Sequence, residues 1–93
     1  MEKRRYSGRE RELMHLCSVL SINYSDEILG KVGSIVQTAH IISEAARSFY
    51  ESYQEDLQNN NFDDQEYESR LEHFTLLYVK KHFNMELTSY VVA

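Results

Sequence analysis

The sequence of 93 residues contains no proline and no tryptophan, and its only glycines are Gly8, Gly30 and Gly33. Proline and glycine are the residues that interrupt regular structure most often, so their scarcity predicts a chain that is helical throughout. No apolar run approaches the roughly 20 residues that a membrane-spanning helix needs, and polar residues rather than an apolar stretch follow the basic N-terminus. We therefore expect one cytoplasmic helical domain over residues 1–93, without a membrane segment.

Cysteine is nearly absent as well, since Cys17 is the only one in the sequence. It has no second thiol with which to form an internal disulfide, which fits a reducing compartment. It lies on the apolar face of the first predicted helix. There, a small buried hydrophobic side chain is favoured over a reactive thiol.

Acidic residues outnumber basic ones by 15 to 10, and the net charge of -5 is unevenly distributed along the chain. The first twelve residues are net positive because of Lys3, Arg4, Arg5, Arg9 and Arg11. Residues 51–72, in contrast, hold eight acidic side chains and one basic side chain, Arg70. We call residues 51–72 the acidic segment. A basic arm joined to an acidic body favours interaction with charged partners.

Patterns that cap helices divide the chain into three predicted helices. Ser7 with Glu10 forms a capping box, in which each side chain bonds the free backbone N–H of the other residue. Ser25 is the expected cap of the second helix, and Asp63 with Glu66 repeats the capping pattern for the third. The predicted elements are a basic flexible arm at 1–6, helices at 7–21, 25–58 and 63–84, and a tail at 85–93.

The ends of these helices carry further local signals. Tyr24 precedes the second predicted helix and Leu29 lies inside it, so the two are placed to form a hydrophobic staple. Asn84 is expected to end the third helix because asparagine tolerates the left-handed conformation. The tail is rich in strand-forming residues and has three alternatives: a frayed end, a helix extension, or a strand that pairs with another segment.

An apolar seam runs along the predicted second helix at alternating steps of four and three residues. Its members are Ile28, Val32, Ile35, Ala39, Ile42, Ala46, Phe49 and Tyr53. This period of 3.5 residues keeps one stripe facing a partner helix. An unbroken helix of about 30 residues is about 45 Å long, whereas a compact chain of this size has a radius of gyration of about 12 Å. We therefore expect another helix of the chain, a second chain, or both to cover the seam, and we favour a homodimer, unless the helix breaks near Gly30 and Gly33.

No pattern in the sequence predicts catalysis, a bound cofactor or a metal. Glu12 and His15 form a Glu-x-x-His pair, but the second pair that a carboxylate-bridged di-metal bundle requires is missing. His15 and Cys17 are two residues apart and do not face each other on a helix. The sequence also lacks a glycine-rich phosphate loop. We therefore expect a protein that is not an enzyme.

The expected fold is all-α, an antiparallel three-helix arrangement with a long central helix, assembled into a dimeric helical bundle through the seam. The expected function is that of a small regulatory or adaptor protein. It would form a homodimer and bind another protein, with the acidic segment favouring a basic partner. The alternative is a DNA-associated transcriptional modulator whose basic N-terminal arms contact phosphates.

Overall fold

In the computed structural model, residues 9–59 and 63–88 are described, and they are helical over most of their length. The four helices are α1 (Arg9–Val32), α2 (Ile35–Ser52), α3 (Gln54–Gln58) and α4 (Asp64–Phe83). No strand occurs within these two ranges. The helices pack together with a radius of gyration of 13.2 Å. The all-α prediction is therefore confirmed, with four helices in place of three.

The predicted boundary between the first two helices is wrong, because residues 21–25 lie inside α1. Leu20, Tyr24 and Ile28 are each at most 2% exposed and follow one another at four-residue spacing. Their burial stabilises a continuous helix through the intervening serine and asparagine residues, whose helix propensities are only moderately unfavourable. Ser25 therefore caps nothing. Tyr24 and Leu29 cannot form a staple at a helix start that does not exist.

The helix predicted over 25–58 is also wrong, because the chain breaks at residues 33–34. Gly33 adopts a left-handed conformation with φ 70°, and its N–H donates to the carbonyl oxygen of Leu29 at 2.7 Å. This is a common way for a helix to end. Ser34 then caps α2, since its side-chain oxygen accepts a hydrogen bond from the backbone N–H of Gln37 at 3.1 Å. Of the two glycines that allowed a break, Gly33 is the one at which it occurs.

The C-terminal part of the predicted long helix is interrupted a second time. α2 ends at Ser52, and Tyr53 leaves the helical conformation with φ −119° and ψ 25°. The short helix α3 follows it directly. The stretch predicted as one helix thus comprises the end of α1, all of α2, and α3.

The core has a spacing that the seam does not predict. Its apolar members are Leu16, Leu20, Tyr24 and Ile28 of α1, Ile41, Ile42, Ala45, Ala46, Phe49 and Tyr50 of α2, and Leu71 and Val79 of α4. The buried positions recur every fourth residue in each helix, with Thr75 completing the row in α4. Rows at this spacing are the ridges that interlock in the commonest class of helix packing. The steps of four and three predicted for the seam therefore hold only within α2, where Ile42, Ala46 and Phe49 are buried, while α1 and α4 each bury a single row.

The third predicted helix agrees with α4 to within one residue at each end. The Asp63 side chain accepts a hydrogen bond from the backbone N–H of Glu66 at 2.8 Å, as its cap pattern predicts. Asn84 ends the helix in the left-handed conformation, with φ 52° and ψ 46°. Both signals depend only on residues within one helical turn, which is why the sequence alone was sufficient to locate them.

Ring contacts show the direction in which α4 runs relative to α2. Tyr67, near the start of α4, lies 6.2 Å from Phe49 near the end of α2, measured between ring centroids. Phe83, at the end of α4, lies 6.3 Å from His40 near the start of α2. The two helices therefore run in opposite directions. The turn between α1 and α2 lies at one end of the molecule, and the start of α4 lies at the other.

Candidate interaction surfaces

The predicted interface seam divides into a buried part and an exposed part. Within the described chain, Ile28, Ile42, Ala46 and Phe49 are at most 5% exposed, while Val32 and Tyr53 are half-buried and Ala39 is exposed. Ile35 is 76% exposed. The core of the same chain thus takes up most of the seam. Only Ile35 and Ala39 present a largely free surface to a partner.

Ile35 and Ala39 are two of four exposed apolar residues that flank the turn between α1 and α2. Ile35 and Val36 are the first two residues of α2 and are 76% and 80% exposed. Leu29 is 37% exposed at the end of α1, and Ala39 follows Ile35 by one helical turn. We call Leu29, Ile35, Val36 and Ala39 the hairpin patch. Several exposed apolar side chains in one region are a feature of interaction sites.

The acidic segment lies at the opposite end of the molecule. It comprises the end of α2, all of α3 and the first half of α4. Its exposed acidic side chains are Glu51, Glu55, Asp63, Glu66 and Glu68. Ala39, the last residue of the hairpin patch, is separated from Glu51, the first residue of the acidic segment, by about 18 Å along α2. The hairpin patch and the acidic segment therefore lie at opposite ends of the molecule.

The Glu12 and His15 pair faces Tyr67 of α4. The Glu12 side chain is only 5% exposed, and its Oε2 accepts a hydrogen bond from the Tyr67 hydroxyl at 3.1 Å. The His15 ring meets the Tyr67 ring edge-on at 5.9 Å. A buried carboxylate needs such a donor, so the contact joins α1 to α4. Across the described residues, no group of three or more His, Cys, Asp or Glu side chains is placed to hold a metal ion.

Cys17 is half-buried between α1 and α2. Burial raises the pKa of its thiol, while a hydrogen bond with Ser43 and the charge of Arg47 lower the pKa by less. The thiol is therefore protonated at neutral pH and is a weak nucleophile, because the thiolate is the reactive form. This environment favours the interpretation of Cys17 as a small packing side chain.

The proposed nucleic-acid contacts fall mostly outside the described residues. The residues outside the described part include the whole predicted arm at 1–6, with Lys3, Arg4 and Arg5, and also Ser7 of the predicted capping box. Arg9 is the first residue of α1, and Arg11 is exposed in its first turn. Both lie at the acidic end, because Glu12 contacts the start of α4.

The start of the predicted tail lies against the end of α1. Met85 and Leu87 pack on the core, and the backbone N–H of Thr88 donates to the Glu27 carboxylate at 2.9 and 3.1 Å. A hydrogen bond and the charge of the neighbouring Lys80 ammonium lower the pKa of the Glu86 carboxyl. Residues 85–88 are neither helix nor strand. The three alternatives for the rest of the tail concern residues outside the described part.

Comparison with known proteins found no match for this chain among protein-family models, curated proteins or solved structures. Within residues 9–59 and 63–88, none of the helices combines the length and the apolar character that a bilayer span requires.

Proposed function

We propose that this protein is a small cytoplasmic regulatory or adaptor protein that forms a homodimer and acts by binding another protein, without chemistry. The observation that supports this proposal is the separation of two surfaces along α2. Ile35 and Val36 expose apolar side chains at one end, and the acidic segment lies at the other. Two unlike surfaces at opposite ends allow one to hold a second copy while the other holds a partner. In each copy α1, α2 with α3, and α4 would act as three antiparallel helices.

The acidic end suits a basic protein partner. Its carboxylates account for more than the whole net charge of -5, because residues 51–72 hold eight acids and one base. A surface with this concentration of one charge accelerates encounter with an oppositely charged surface and disfavours partners of like charge. The association rate should therefore fall as the salt concentration rises.

Affinity capture from a lysate of the source organism, read by mass spectrometry, tests this proposal when two variants of equal charge are compared. The first replaces Glu55→Gln and Glu68→Gln, both at the acidic end, and the control replaces Glu44→Gln and Glu86→Gln, both outside the acidic segment and the hairpin patch. We expect the wild type and the control to retain a basic partner that the first variant loses. In calorimetry with the purified partner, the wild type and the control should bind with similar affinity, and the first variant should bind more weakly. Equal binding by both variants would contradict a role for the acidic end.

Titration with duplex DNA distinguishes this function from that of a DNA-associated transcriptional modulator. Binding to phosphates weakens steeply with salt, because each basic contact releases counterions. We expect no such binding at low salt. Binding that disappears with salt, and also with replacement of Lys3, Arg4 and Arg5 by alanine, would replace our proposal with the alternative.

A further inference from the structure

The hairpin patch lies at one end of the long axis of the molecule. The principal-axis extents are 40 × 29 × 23 Å, and the 24 residues of α1 span about 36 Å. Only the 40 Å axis accommodates a helix of this length. The end that contains the turn between α1 and α2 therefore has a cross-section of at most 29 × 23 Å.

Charges of both signs lie beside the patch. Asp26 precedes Leu29 by one helical turn of α1, and Lys31 follows it by two residues. Both charged side chains are exposed. A surface that is apolar at its centre and carries both charges at its border can complement an identical copy across a two-fold axis. Within the described residues, acidic and basic side chains at this end are equal in number: Asp26, Glu27 and Glu86 against Lys31, Lys80 and Lys81. Neither a strongly basic nor a strongly acidic partner therefore meets a matching excess of opposite charge here.

The distribution of the remaining charge also favours contact at this end. Two copies that met through their acidic segments would bring like charges together, which costs free energy. Two copies that meet through their hairpin patches place those segments at opposite ends of the assembly. The same arrangement removes the highly exposed side chains of Ile35 and Val36 from water, which is favourable at about 25 cal/mol per Å² of apolar surface.

We infer that the hairpin patch is the surface through which two copies of this chain meet, related by a two-fold axis, with their acidic ends pointing apart. This inference rests on the proposed function, because it names the interface of the proposed dimer. A cross-section of at most 29 × 23 Å offers no more than roughly 500 Å² on each copy, at the lower limit for specific interfaces. The dimer should therefore be weak and should dissociate in the micromolar range.

Sedimentation velocity of the full chain from low to high micromolar concentration, with two matched isoleucine variants, tests this inference. Ile35 and Ile22 are 76% and 78% exposed, but Ile22 lies on α1 two turns away from the patch residue Leu29. Ile35→Glu places a negative charge in the first turn of α2, where the helix dipole favours it, so the fold should be retained. We expect Ile35→Glu to raise the dimer dissociation constant at least about tenfold by burying a charge. Ile22→Glu should leave it unchanged.

Three outcomes would overturn the inference. They are a wild type that stays monomeric at every concentration, a dimer that Ile35→Glu does not weaken, and a dimer that Ile22→Glu weakens equally. A monomeric wild type that dimerises when residues 89–93 are deleted would assign the patch to the chain's own C-terminus. The acidic-end variant Glu55→Gln with Glu68→Gln separates the two proposals. If the sedimentation results contradict the dimer surface but this variant still loses the basic partner, the dimer surface is wrong and the proposed role of the acidic end stands.

Discussion

Replacing Gly33 by alanine should destabilise the protein, whereas replacing Gly30 by alanine should stabilise it. The two glycines are three residues apart and both are exposed, and a β-carbon added at either would meet no atom within 4 Å. Steric contacts therefore do not distinguish the two variants. Backbone conformation does, because Gly30 lies within α1 while Gly33 has φ 70°.

The expected magnitudes come from the cost of each conformation. A residue with a β-carbon pays about 1–2 kcal/mol to adopt the left-handed conformation, and alanine recovers part of this cost by reducing the entropy of the unfolded chain. Gly33→Ala should therefore lower the free energy of unfolding by about 1 kcal/mol. Alanine is better than glycine within a helix by about 0.5–1 kcal/mol, so Gly30→Ala should raise it by that amount.

Urea denaturation followed by circular dichroism at the helix band measures both changes against the wild type. The midpoints should move in opposite directions with unchanged slopes, since neither substitution alters the surface exposed on unfolding. In thermal unfolding, a change of 1 kcal/mol corresponds to about 4–8 °C for a domain of this size. A stabilising effect of Gly33→Ala would refute the break, because that is the effect expected in a helix continuous through this position.

The core, a buried hydroxyl and the thiol give three more expected outcomes. Ile42→Ala, at a side chain 5% exposed, should lower the free energy of unfolding by about 2–4 kcal/mol. Ile35→Ala, at 76% exposure, should change it by less than about 0.5 kcal/mol, and equal losses in urea denaturation would contradict the assigned core. Thr75 Oγ1 is buried without a hydrogen-bond partner in the described structure. Thr75→Val should therefore raise the melting temperature, by the equivalent of about 1 kcal/mol. A lower melting temperature would contradict the unpaired state of this hydroxyl. Because folding raises the pKa of Cys17, its stabilising contribution is complete below the unfolded thiol pKa of about 8.5 and is lost as the pH rises through the folded value. The wild type should therefore lose stability relative to Cys17→Ala over that alkaline range, and a difference independent of pH would show that the thiol does not titrate as described.

Signals confined to one helical turn predicted part of the fold correctly. Asp63 and Asn84 mark the two ends of α4, where the structure also has them. The same kind of signal exists at the missed break, where Gly33 is followed by Ser34 and, three residues later, by Gln37. This serine, with a glutamine at the third position after it, is a capping-box pattern. The apolar seam continues across Gly33 at its regular spacing, so the sequence favoured a continuous helix over a cap at Ser34.

The choice between Ser25 and Ser34 as the cap depended on tertiary packing. Both serines precede residues that can begin a helix, and the local sequence favoured Ser25 because acidic residues follow it. In the structure Tyr24 and Ile28 lie in one buried row on either side of Ser25. That row exists only because α2 folds back over α1. Information about the turn at Gly33 was therefore needed before the residues at 21–25 could be assigned.

The candidate surfaces were still less accessible to sequence analysis. Ile35 and Ile42 belong to the same seam and are the same residue type, yet one is 76% exposed and the other 5% exposed. What separates them is distance from the turn, since Ile35 is the first residue of α2. The contact of Tyr67 with Glu12 joins residues 55 positions apart. No spacing rule within one helix predicts a pair of this kind.

The break at Gly33 changes both the surface through which a proposed dimer could form and the spacing of the acidic ends in that dimer. The dimer predicted from the sequence requires a helix of about 45 Å that a small globule cannot cover, whereas α1 fits within the 40 Å long axis. The proposed dimer depends instead on the hairpin patch, whose small area would make association sensitive to protein concentration. Joined at their hairpin patches, two copies would carry acidic ends separated by up to twice the 40 Å axis, about 80 Å. Such a dimer can engage two separate basic partners, or two distant sites on an extended partner. Two adjacent sites on a compact protein lie too close together for both ends to reach them, so no gain in avidity is expected there.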